Sequence, residues 1–442
     1  MKIVIGAGEG RRTLLRRRRP GEATLPDKIW QRTREAVGDV ATVEDAVRRI
    51  VRDVRDEGDA AVLRYGQAFD GATYSTLHVT PDEIRAAYDH VEPSVVEALR
   101  FAADRIRSFH EEQRRHALQS FERDGVGVRV TPLARAGIYV PGTAVVYPSS
   151  VLMTVLPAKA AGVPEVLIAS PADAQGHVPP IKLVAADLAG ADGVFRMSGA
   201  QAVAAFAYGT ESVPKVDKVC GPGNIFVTLA KREVFGDVGI DALYGPSETI
   251  VVADDTADPV LCAADLLAQA EHDELATPIL ITTSREVAER VNQEVERQLT
   301  LLERQEVARA AFEAQGGAVI VDSLEEALDL ANEFAPEHLC LLMRDAERWA
   351  KQARNAGGVF VGEVSPESLG DYTAGPSHVM PTMGTARFAS PLGVQDFLKV
   401  TSVVAVDRAA LRELGPAAAC IARAEGFTAH ARSIELRLGG EE

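Results

Sequence analysis

The spacing of apolar and polar positions changes once along the chain, near Gly125. Before that point, apolar residues recur at intervals of three and four over 43–68 and 81–109, the spacing that gives a helix one apolar face. Thr80, followed by Pro81 and by Glu83 in the first turn, is typical of a helix start. The segment 27–124 is therefore predicted to be a helical region.

After Gly125, short apolar runs alternate with longer stretches of helical periodicity. This alternation predicts parallel sheets covered by helices on both faces, so the expected class is α/β with two Rossmann-like, doubly wound units. The first Rossmann-like unit is expected over 125–238 and the second over 239–383. The predicted strands are 137–140, 165–169, 193–197, 215–220, 249–253, 278–282, 318–321, 339–343 and 358–361.

The two ends of the chain differ from this body. The opening MKIVIGAGEG is similar to a strand entering a dinucleotide-binding turn, but Arg11 stands where that fingerprint requires a third glycine. We therefore expect 1–26 to form a short N-terminal arm, with the basic run Arg16–Arg19 on a solvated face. Near the other end, TSVVAV predicts a strand and two helical stretches follow it, so 384–442 is expected to be a small C-terminal appendage.

Composition limits the classes of function. Apolar residues make up 46% of the 442 positions and charged residues 25%, so the chain can bury a large core. The net charge of −17 disfavours nucleic acid as a partner. Four cysteines without a C-x-x-C pair indicate a reducing cytoplasm, and the lack of a long apolar run argues against a membrane protein.

Several polar clusters could carry chemistry. Gln269 and His272 lie three apart on a predicted helix, a spacing at which two side chains reach one metal, although a single histidine is more often an ordinary helix residue. Glu337 and His338 are suited to proton transfer. Because neighbouring residues on a strand face opposite ways, this pair shares a pocket only if it lies in the preceding loop, and an ordinary loop pair is the alternative.

Further clusters lie in segments rich in glycine. Asp371 and His378 belong to a segment with too much Gly and Pro for a helix or strand interior, so a loop is expected there. Glu425 and His430 flank a predicted helix break at Gly426 and, taken alone, are typical of solvated residues. The glycine loops at 219–224 and 244–248 could expose backbone N–H groups to a phosphate, although neither has the spacing of a known phosphate loop.

An ordered series of motifs runs through the chain: GIYVPG (137–142), YPSSVLM (147–153), GAQAVAA (199–205), VDKVCGPGN (216–224), GIDALYGPSE (239–248), DLLAQAEHD (265–273), APEHL (335–339), ESLGDYTAGPSHVMPT (367–382) and EGFTAHA (425–431). This series resembles histidinol dehydrogenases, and the resemblance spans essentially the whole chain from about Asp27. It implies an NAD-dependent, zinc-dependent oxidoreductase of histidine biosynthesis that takes L-histidinol through L-histidinaldehyde to L-histidine. It also implies an intertwined cytoplasmic homodimer with shared active sites.

The resemblance implies a role for individual residues. One zinc ion per subunit would be held by Gln269, His272, Asp371 and His430, and the acid/base pair would be Glu337 and His338. Substrate contacts would come from those four ligands together with Ser247, His338 and Glu425. NAD contacts would come from Tyr139, Gln201 and Asn224.

Three positions depart from the family's usual residues: Cys220, Thr143 and Ser198. A thiohemiacetal on Cys220 is rejected, because the family does not use a cysteine there, and the other two departures flank the presumed cofactor loop. The first alternative function is a zinc and NAD dehydrogenase of another small polar alcohol, such as a sulfonated diol. The second is a zinc hydrolase or binding protein that has lost the cofactor.

Overall fold

The computed structural model describes residues 1–17, 27–142 and 145–439. They form two compact units: the first unit is Met1–Arg115 with Leu133–Phe397, and the second unit is His116–Pro132 with Leu398–Glu442. The five predicted segments divide the chain differently, and their boundaries stay a prediction. Thr143, Arg18 and Arg19 lie outside the described residues.

The strands, in chain order, are β1 (Lys2–Ile5), β2 (Phe121–Arg123), β3 (Val126–Pro132), β4 (Arg135–Tyr139), β5 (Glu165–Ser170), β6 (Gly193–Arg196), β7 (Lys218–Cys220), β8 (Gly239–Ile240), β9 (Glu248–Ala253), β10 (Thr277–Thr282), β11 (Gly317–Ile320), β12 (His338–Leu342), β13 (Gly358–Val361) and β14 (Leu398–Val404). The nine strands predicted after Gly125 correspond to β4–β7 and β9–β13. Their ends differ from the prediction by a few residues, as expected of element boundaries.

The helices are α1 (Ala7–Arg12), α2 (Asp27–Val37), α3 (Val43–Glu57), α4 (Asp59–Asp70), α5 (Pro81–Ala87), α6 (Pro93–His116), α7 (Pro148–Ala161), α8 (Pro180–Ala189), α9 (Gly199–Tyr208), α10 (Ile225–Val234), α11 (Pro259–Ala270), α12 (Arg285–Leu299), α13 (Gln305–Ala314), α14 (Leu324–Phe334), α15 (Ala346–Ala350), α16 (Glu367–Tyr372), α17 (Arg408–Ala424) and α18 (Thr428–Leu438). The predicted start at Thr80 is confirmed, because Thr80 and Glu83 form a reciprocal capping box. No helix in the described part of the chain is long and apolar enough to cross a bilayer.

The first unit contains two parallel sheets with the same internal order. The five-stranded sheet is ordered β6-β5-β4-β7-β8, and the six-stranded sheet is ordered β1-β11-β10-β9-β12-β13. In each, the chain moves outward from one central strand, β4 or β9, through two neighbours, and then crosses to the other side. This is the doubly wound order, so the prediction of two Rossmann-like units is confirmed.

The helical region before Gly125 packs on the five-stranded sheet's side of the first unit. Buried residues of α3, such as Ile50 and Val54, share one core cluster with Ala202 and Phe206 of α9. The apolar face predicted over 43–68 is therefore the face that this cluster buries.

The expectation of a simple arm over 1–26 is wrong at its start. Lys2–Ile5 forms β1, which pairs in parallel with β11 at the edge of the six-stranded sheet. Gly6, at φ 86°, then leads into the short helix α1. The sequence does not indicate this pairing, because β11 lies more than three hundred positions away from β1 and leaves no local signal near it.

The second unit consists of an antiparallel sheet, ordered β14-β3-β2, and the helices α17 and α18. The predicted break between the two helices is confirmed at Gly426, whose φ of 83° is accessible to glycine. The predicted strand TSVVAV overlaps the later part of β14, which begins earlier, at Leu398, and ends at Val404, two residues before the predicted end.

Candidate active site

The predicted acid/base residues lie at the amino edge of the six-stranded sheet. His338 is the first residue of β12 and pairs in register with Thr249, the second residue of β9. Glu337 immediately precedes the strand, so it is not bound by the alternation of a strand and turns to the same side as His338. Its Oε2 lies 3.8 Å from His338 Nδ1.

Backbone groups of Glu248 fix both members of this pair. The Glu248 N–H donates to Glu337 Oε2 at 3.1 Å, and the Glu248 carbonyl accepts from His338 Nδ1 at 3.3 Å. The His338 ring also stacks on Phe360, with 5.6 Å between the ring centroids. The other imidazole nitrogen, Nε2, lies 3.6 Å from Asp371 Oδ1. His338 is therefore held between two carboxylates.

The two carboxylates and burial set the protonation of the pair. Burial raises the pKa of Glu337 to about 8, although the nearby His338 partly opposes this shift. Burial lowers the pKa of His338, but the charge of Glu337 and the interaction with Asp371 outweigh burial and raise it to about 10. His338 therefore keeps its proton as long as the Glu337 and Asp371 carboxylates keep their negative charge.

Asp371 lies on a helix and not in the expected loop. It is the fifth residue of α16, which begins after Pro366. Position 370, within this helix, is a glycine because a Cβ there would lie 2.6 Å from the Phe360 ring. The glycine therefore allows close packing and does not form a turn. Burial would raise the pKa of Asp371, but His338 and the other nearby imidazoles hold it below the usual value.

His378 supports Asp371 from the loop after α16. Its Nδ1 donates to the Asp371 carbonyl at 2.8 Å, and its Nε2 lies 3.0 Å from Ser150 Oγ. Burial lowers the pKa of His378. A neutral imidazole that bridges Ser150 and Asp371 thus fixes the backbone of α16 at the site.

Gln269 and His272 lie at the end of α11, at the same sheet edge. The prediction that both are on the helix is wrong for His272: α11 ends at Ala270, and the His272 N–H bonds the Gln269 carbonyl in a tight turn. Gln269 is 1% exposed, and its Oε1 has no hydrogen-bond partner among the described residues. Burial lowers the pKa of His272, which favours the neutral imidazole that can bind a metal.

These donors fit a divalent cation in part. An unpaired buried amide oxygen, a neutral imidazole and an ionised carboxylate are a donor set that zinc accepts. No group of three His, Cys, Asp or Glu side chains suited to a metal occurs in the residues that the structure describes. Glu425 and His430 belong to the second unit, at the end of α17 and in α18, and both are exposed. Ser247 directly precedes β9 and is half-buried.

Two residues near the pair were missed in the sequence. Glu367, on α16, is fully buried and accepts from Thr249 Oγ1 at 2.9 Å, and burial raises its pKa to about 8. Arg17 is paired with the buried carboxylate of Glu248, so the expectation of a solvated face is wrong at this position, whereas Arg16 is exposed as expected. Nothing within the run of arginines distinguishes Arg17 from its neighbours.

The predicted NAD residues lie at the opposite kind of edge, the carboxyl edge of the five-stranded sheet. Tyr139 ends β4, and its hydroxyl accepts from the Gly199 N–H at 3.2 Å. Gln201 Nε2 donates to Ser198 Oγ at 3.0 Å, while Gln201 Oε1 is buried without a partner among the described residues. Ser198 in turn donates to the Asp70 carboxylate. The serine that departs from the family pattern therefore orients Gln201.

The glycine loop after β7 approaches Tyr139 closely. Gly221 has φ 112°, and a Cβ there would lie 2.2 Å from the Tyr139 carbonyl oxygen. Asn224 caps α10, since its Oδ1 accepts from the N–H groups of Phe226 and Val227 at 3.1 and 3.3 Å. Cys220 is buried, and burial raises its thiol pKa well above the usual value, which is consistent with rejecting it as a nucleophile.

This edge is where doubly wound sheets bind ligands. The strand order reverses between β4 and β7, so Tyr139 and Gly221 lie side by side at the point where such sheets usually bind ligands. The Gln201 Oε1 atom, buried without a partner among the described residues, is available to a ligand at this edge.

Comparison with known proteins identifies the family to which the chain belongs. A family model described as histidinol dehydrogenase matches residues 33–438. The chain belongs to the histidinol dehydrogenase family. Histidinol dehydrogenase of Deinococcus radiodurans is 49% identical over 441 residues, which cover 99% of this chain and 100% of that protein. Histidinol dehydrogenase of Dehalococcoides mccartyi is 47% identical over 438 residues, with coverage of 99% and 100%.

A solved structure of the same family has the same fold. The crystal structure of histidinol dehydrogenase from Elizabethkingia anophelis matches with a TM-score of 0.89 at 33% identity, covering 99% of this chain and 98% of that one. Histidinol dehydrogenases are oxidoreductases that act on CH–OH groups, and the chain is placed in that enzyme class.

Proposed function

We propose that the chain is an L-histidinol dehydrogenase that oxidises L-histidinol to L-histidine in the last steps of histidine biosynthesis. In the first half, the alcohol loses a hydride to NAD and a proton to a base, giving the aldehyde. In the second half, water adds to the aldehyde and the hydrate loses a second hydride and proton, giving the carboxylate. The observation that carries the proposal is His338 held between Glu337, at 3.8 Å, and Asp371, at 3.6 Å.

The pair divides the two halves between its members. His338 would accept the proton of the substrate hydroxyl once a cation on Asp371 offsets one of the two carboxylate charges that hold its own proton in the metal-free protein. Glu337 accepts a proton from the water that adds to the aldehyde. Its burial supports this role, since a carboxylate with a pKa of about 8 is a stronger base than an exposed one.

Zinc would be held by Gln269, His272 and Asp371, with His430 of the partner subunit as the fourth ligand. The metal would supply a fixed point for the imidazole and amine of histidinol, which aligns the reacting carbon with the base. The unpaired Gln269 Oε1 supports this assignment. Ser247 and Glu425 would complete the contacts to the substrate.

NAD would lie at the carboxyl edge of the five-stranded sheet, against Tyr139, Gln201 and Asn224. As the hydride acceptor it supplies the oxidising chemistry of both halves. The start of α10 supports this position, because a helix N-terminus stabilises the negative charge of a pyrophosphate. Ser198 would act through Gln201, which it hydrogen-bonds.

The enzyme is proposed to be a cytoplasmic homodimer that shares its active sites. Large apolar side chains of the second unit are exposed, among them Val404 at 73%, Ile421 at 59% and Phe427 at 55%, and such side chains favour a protein interface. A cytoplasmic location is supported by Cys220, Cys262 and Cys340, which are free and buried. Neither nucleic acid nor a membrane is part of the proposal.

The test is absorbance at 340 nm with NAD and L-histidinol, on protein of known zinc content. We expect two NADH per histidinol oxidised, loss of activity after chelation and recovery with zinc. NADH formed from a sulfonated diol but not from histidinol would favour the other dehydrogenase, and no NADH from either would favour the non-oxidative alternative. Full activity in protein shown by elemental analysis to lack metal would remove zinc from the proposal.

A further inference from the structure

Arg17, in the segment after α1, is connected to the catalytic pair through one buried carboxylate. We infer that Arg17 is a positioning residue that fixes the geometry of Glu337 and His338. This inference rests on the proposed function, because it assumes that these two side chains are the acid and base.

The guanidinium of Arg17 binds three groups at once. Its two terminal nitrogens bind the two oxygens of the Glu248 carboxylate, with 3.0 Å from Nη2 to Oε2. Nε donates to the Phe334 carbonyl at 2.9 Å, and Nη2 donates to the Ala335 carbonyl at 3.0 Å. The guanidinium also lies 3.9 Å over the centre of the Phe334 ring. All these contacts lie within the first unit.

Glu248 connects Arg17 to both Glu337 and His338. Its side chain is only 6% exposed, and besides Arg17 it accepts from the Met383 N–H at 3.0 Å. Its backbone N–H and carbonyl are the groups that bind Glu337 and His338. A shift of Glu248 therefore moves both of the backbone groups to which Glu337 and His338 are hydrogen-bonded.

The second connection runs through the residues that carry the pair. α14 ends at Phe334, and Ala335 has φ 54°, a left-handed conformation that costs energy for a residue with a side chain. The carbonyls at this helix end need donors, and a cation is favoured there. Arg17 supplies both, and Glu337 follows only two residues after Ala335.

An arginine is suited to this place and a lysine is not. The planar fork binds a carboxylate with two parallel hydrogen bonds while its remaining N–H groups reach the carbonyls. A lysine ammonium is a single point charge, so it can neutralise Glu248 but cannot span the carboxylate and both carbonyls. Arg17→Lys therefore separates charge from geometry.

Arg11 provides a matched control. It also connects the N-terminal segment to α14, through an ion pair with Glu333 at 2.6 Å. The Arg11 and Glu333 side chains are well exposed, at 44% and 54%, and their ion pair does not involve Glu248. Loss of Arg11 thus removes an anchor of the same segment without touching the route to the catalytic pair.

The experiment compares Arg17→Ala, Arg17→Lys and Arg11→Ala as full-length, zinc-loaded enzymes. For Arg17→Ala we expect kcat to fall about 100-fold for both histidinol and histidinal, with KM for histidinol within about threefold, because a displacement of about 1 Å costs this much in rate. Arg17→Lys should lose about tenfold, and Arg11→Ala less than about twofold. Added guanidinium ion should restore part of the rate of Arg17→Ala only.

Hydrogen exchange of the peptide containing residues 335–338 gives a readout that needs no substrate. It should be faster in Arg17→Ala than in Arg11→Ala. Equal kinetics and equal exchange in these two variants would overturn the inference, as would full activity in Arg17→Lys, since charge without the fork would then suffice. If wild type fails to oxidise histidinol, the proposed function fails, and the exchange comparison still decides whether Arg17 fixes this segment.

Discussion

The two parallel sheets of the first unit share one strand order but place their candidate sites at opposite edges. The five-stranded sheet has Tyr139 and Gly221 at its carboxyl edge, where doubly wound sheets usually bind ligands. The six-stranded sheet has Glu337 and His338 at its amino edge. The same topology therefore does not determine which edge carries the chemistry.

Helix ends explain what each edge is suited for. Helices return antiparallel to the strands of such a sheet, so helices begin at the carboxyl edge and end at the amino edge. Helices that begin there, such as α9 and α10, carry the positive end of the helix dipole, which attracts the phosphates of a nucleotide. Ending helices such as α11 and α14 present carbonyls, which attract cations: the proposed zinc at Gln269 and the guanidinium of Arg17. A metal edge and a nucleotide edge are thus separated by helix direction.

Removing the base at the amino edge should have the largest effect. Glu337→Gln should lower aldehyde oxidation about 10²- to 10⁴-fold, the usual cost of losing a general base, and should affect alcohol oxidation much less. Rates measured separately with histidinol and histidinal check this. The exposed Glu347→Gln serves as control, and equal losses in the two half-reactions would contradict the division of labour.

At the carboxyl edge, Gly221→Ala should weaken NAD binding and leave the metal edge intact. The new Cβ would meet the Tyr139 carbonyl oxygen at 2.2 Å, so the loop must shift, and loss of about 1–3 kcal/mol of contacts to NAD corresponds to a roughly 5- to 150-fold weaker Kd. Titration with NAD measures the Kd, and zinc content measures the other edge. Gly236→Ala is a matched control, because Gly236 has φ 109° but no neighbour within 4 Å. Similar Kd values for the two variants would place NAD elsewhere.

The amino edge is also the one proposed to need a ligand from another chain. His272→Ala and His430→Ala homodimers should both be inactive, whereas random mixing makes half the dimers mixed, each with one intact site. Activity should then return to roughly a quarter of wild type. Mass spectrometry verifies the mixed dimers. If these form and remain inactive, each site takes its ligands from a single chain.

The smallest expected effect is a change in protonation. In metal-free protein the pKa of His338 should lie above the usual value, near 10, because of Glu337 and Asp371. Zinc bound to Asp371 would withdraw that charge, so loading should lower the pKa by about 1–3 units. Titration of the histidine ring signals by NMR follows this, with the exposed His177 as an internal reference. No change on loading would argue that Asp371 is not a ligand.

The sequence predicted well what depends on local pattern and poorly what depends on distant partners. Runs such as Glu165–Ser170 and Gly358–Val361 are apolar on both faces, so their strands were placed almost to the residue. The glycines around Asp371 predict a loop, but Asp371 lies in a helix. Gly370 is explained only by the Phe360 ring packed against it, a contact that the sequence does not indicate. Arg17 was assigned to a solvated face because its partner, Glu248, lies 231 positions away.

The candidate site shows the same division. Residue types and spacing alone left Gln269 with His272, and Glu337 with His338, as pairs with ordinary alternatives. Their combination came from the resemblance to a family. Glu367 carried no signal in the sequence, since a glutamate before Ser and Leu gives no indication that the fold will bury it under β9 and β12.

The pairing of β1 with β11 has a consequence for how the chain is made. Lys2 and Ile5 are synthesised long before their partners, Gly317 and Ile320. At about 5–20 residues per second, the first strand waits roughly 15–60 s for its place in the sheet. Arg17 follows that strand closely, and it too is synthesised long before its partners, Glu248 and Ala335. The five-stranded sheet, whose last strand ends at Ile240, is thus expected to form well before Glu337 and His338 are in place.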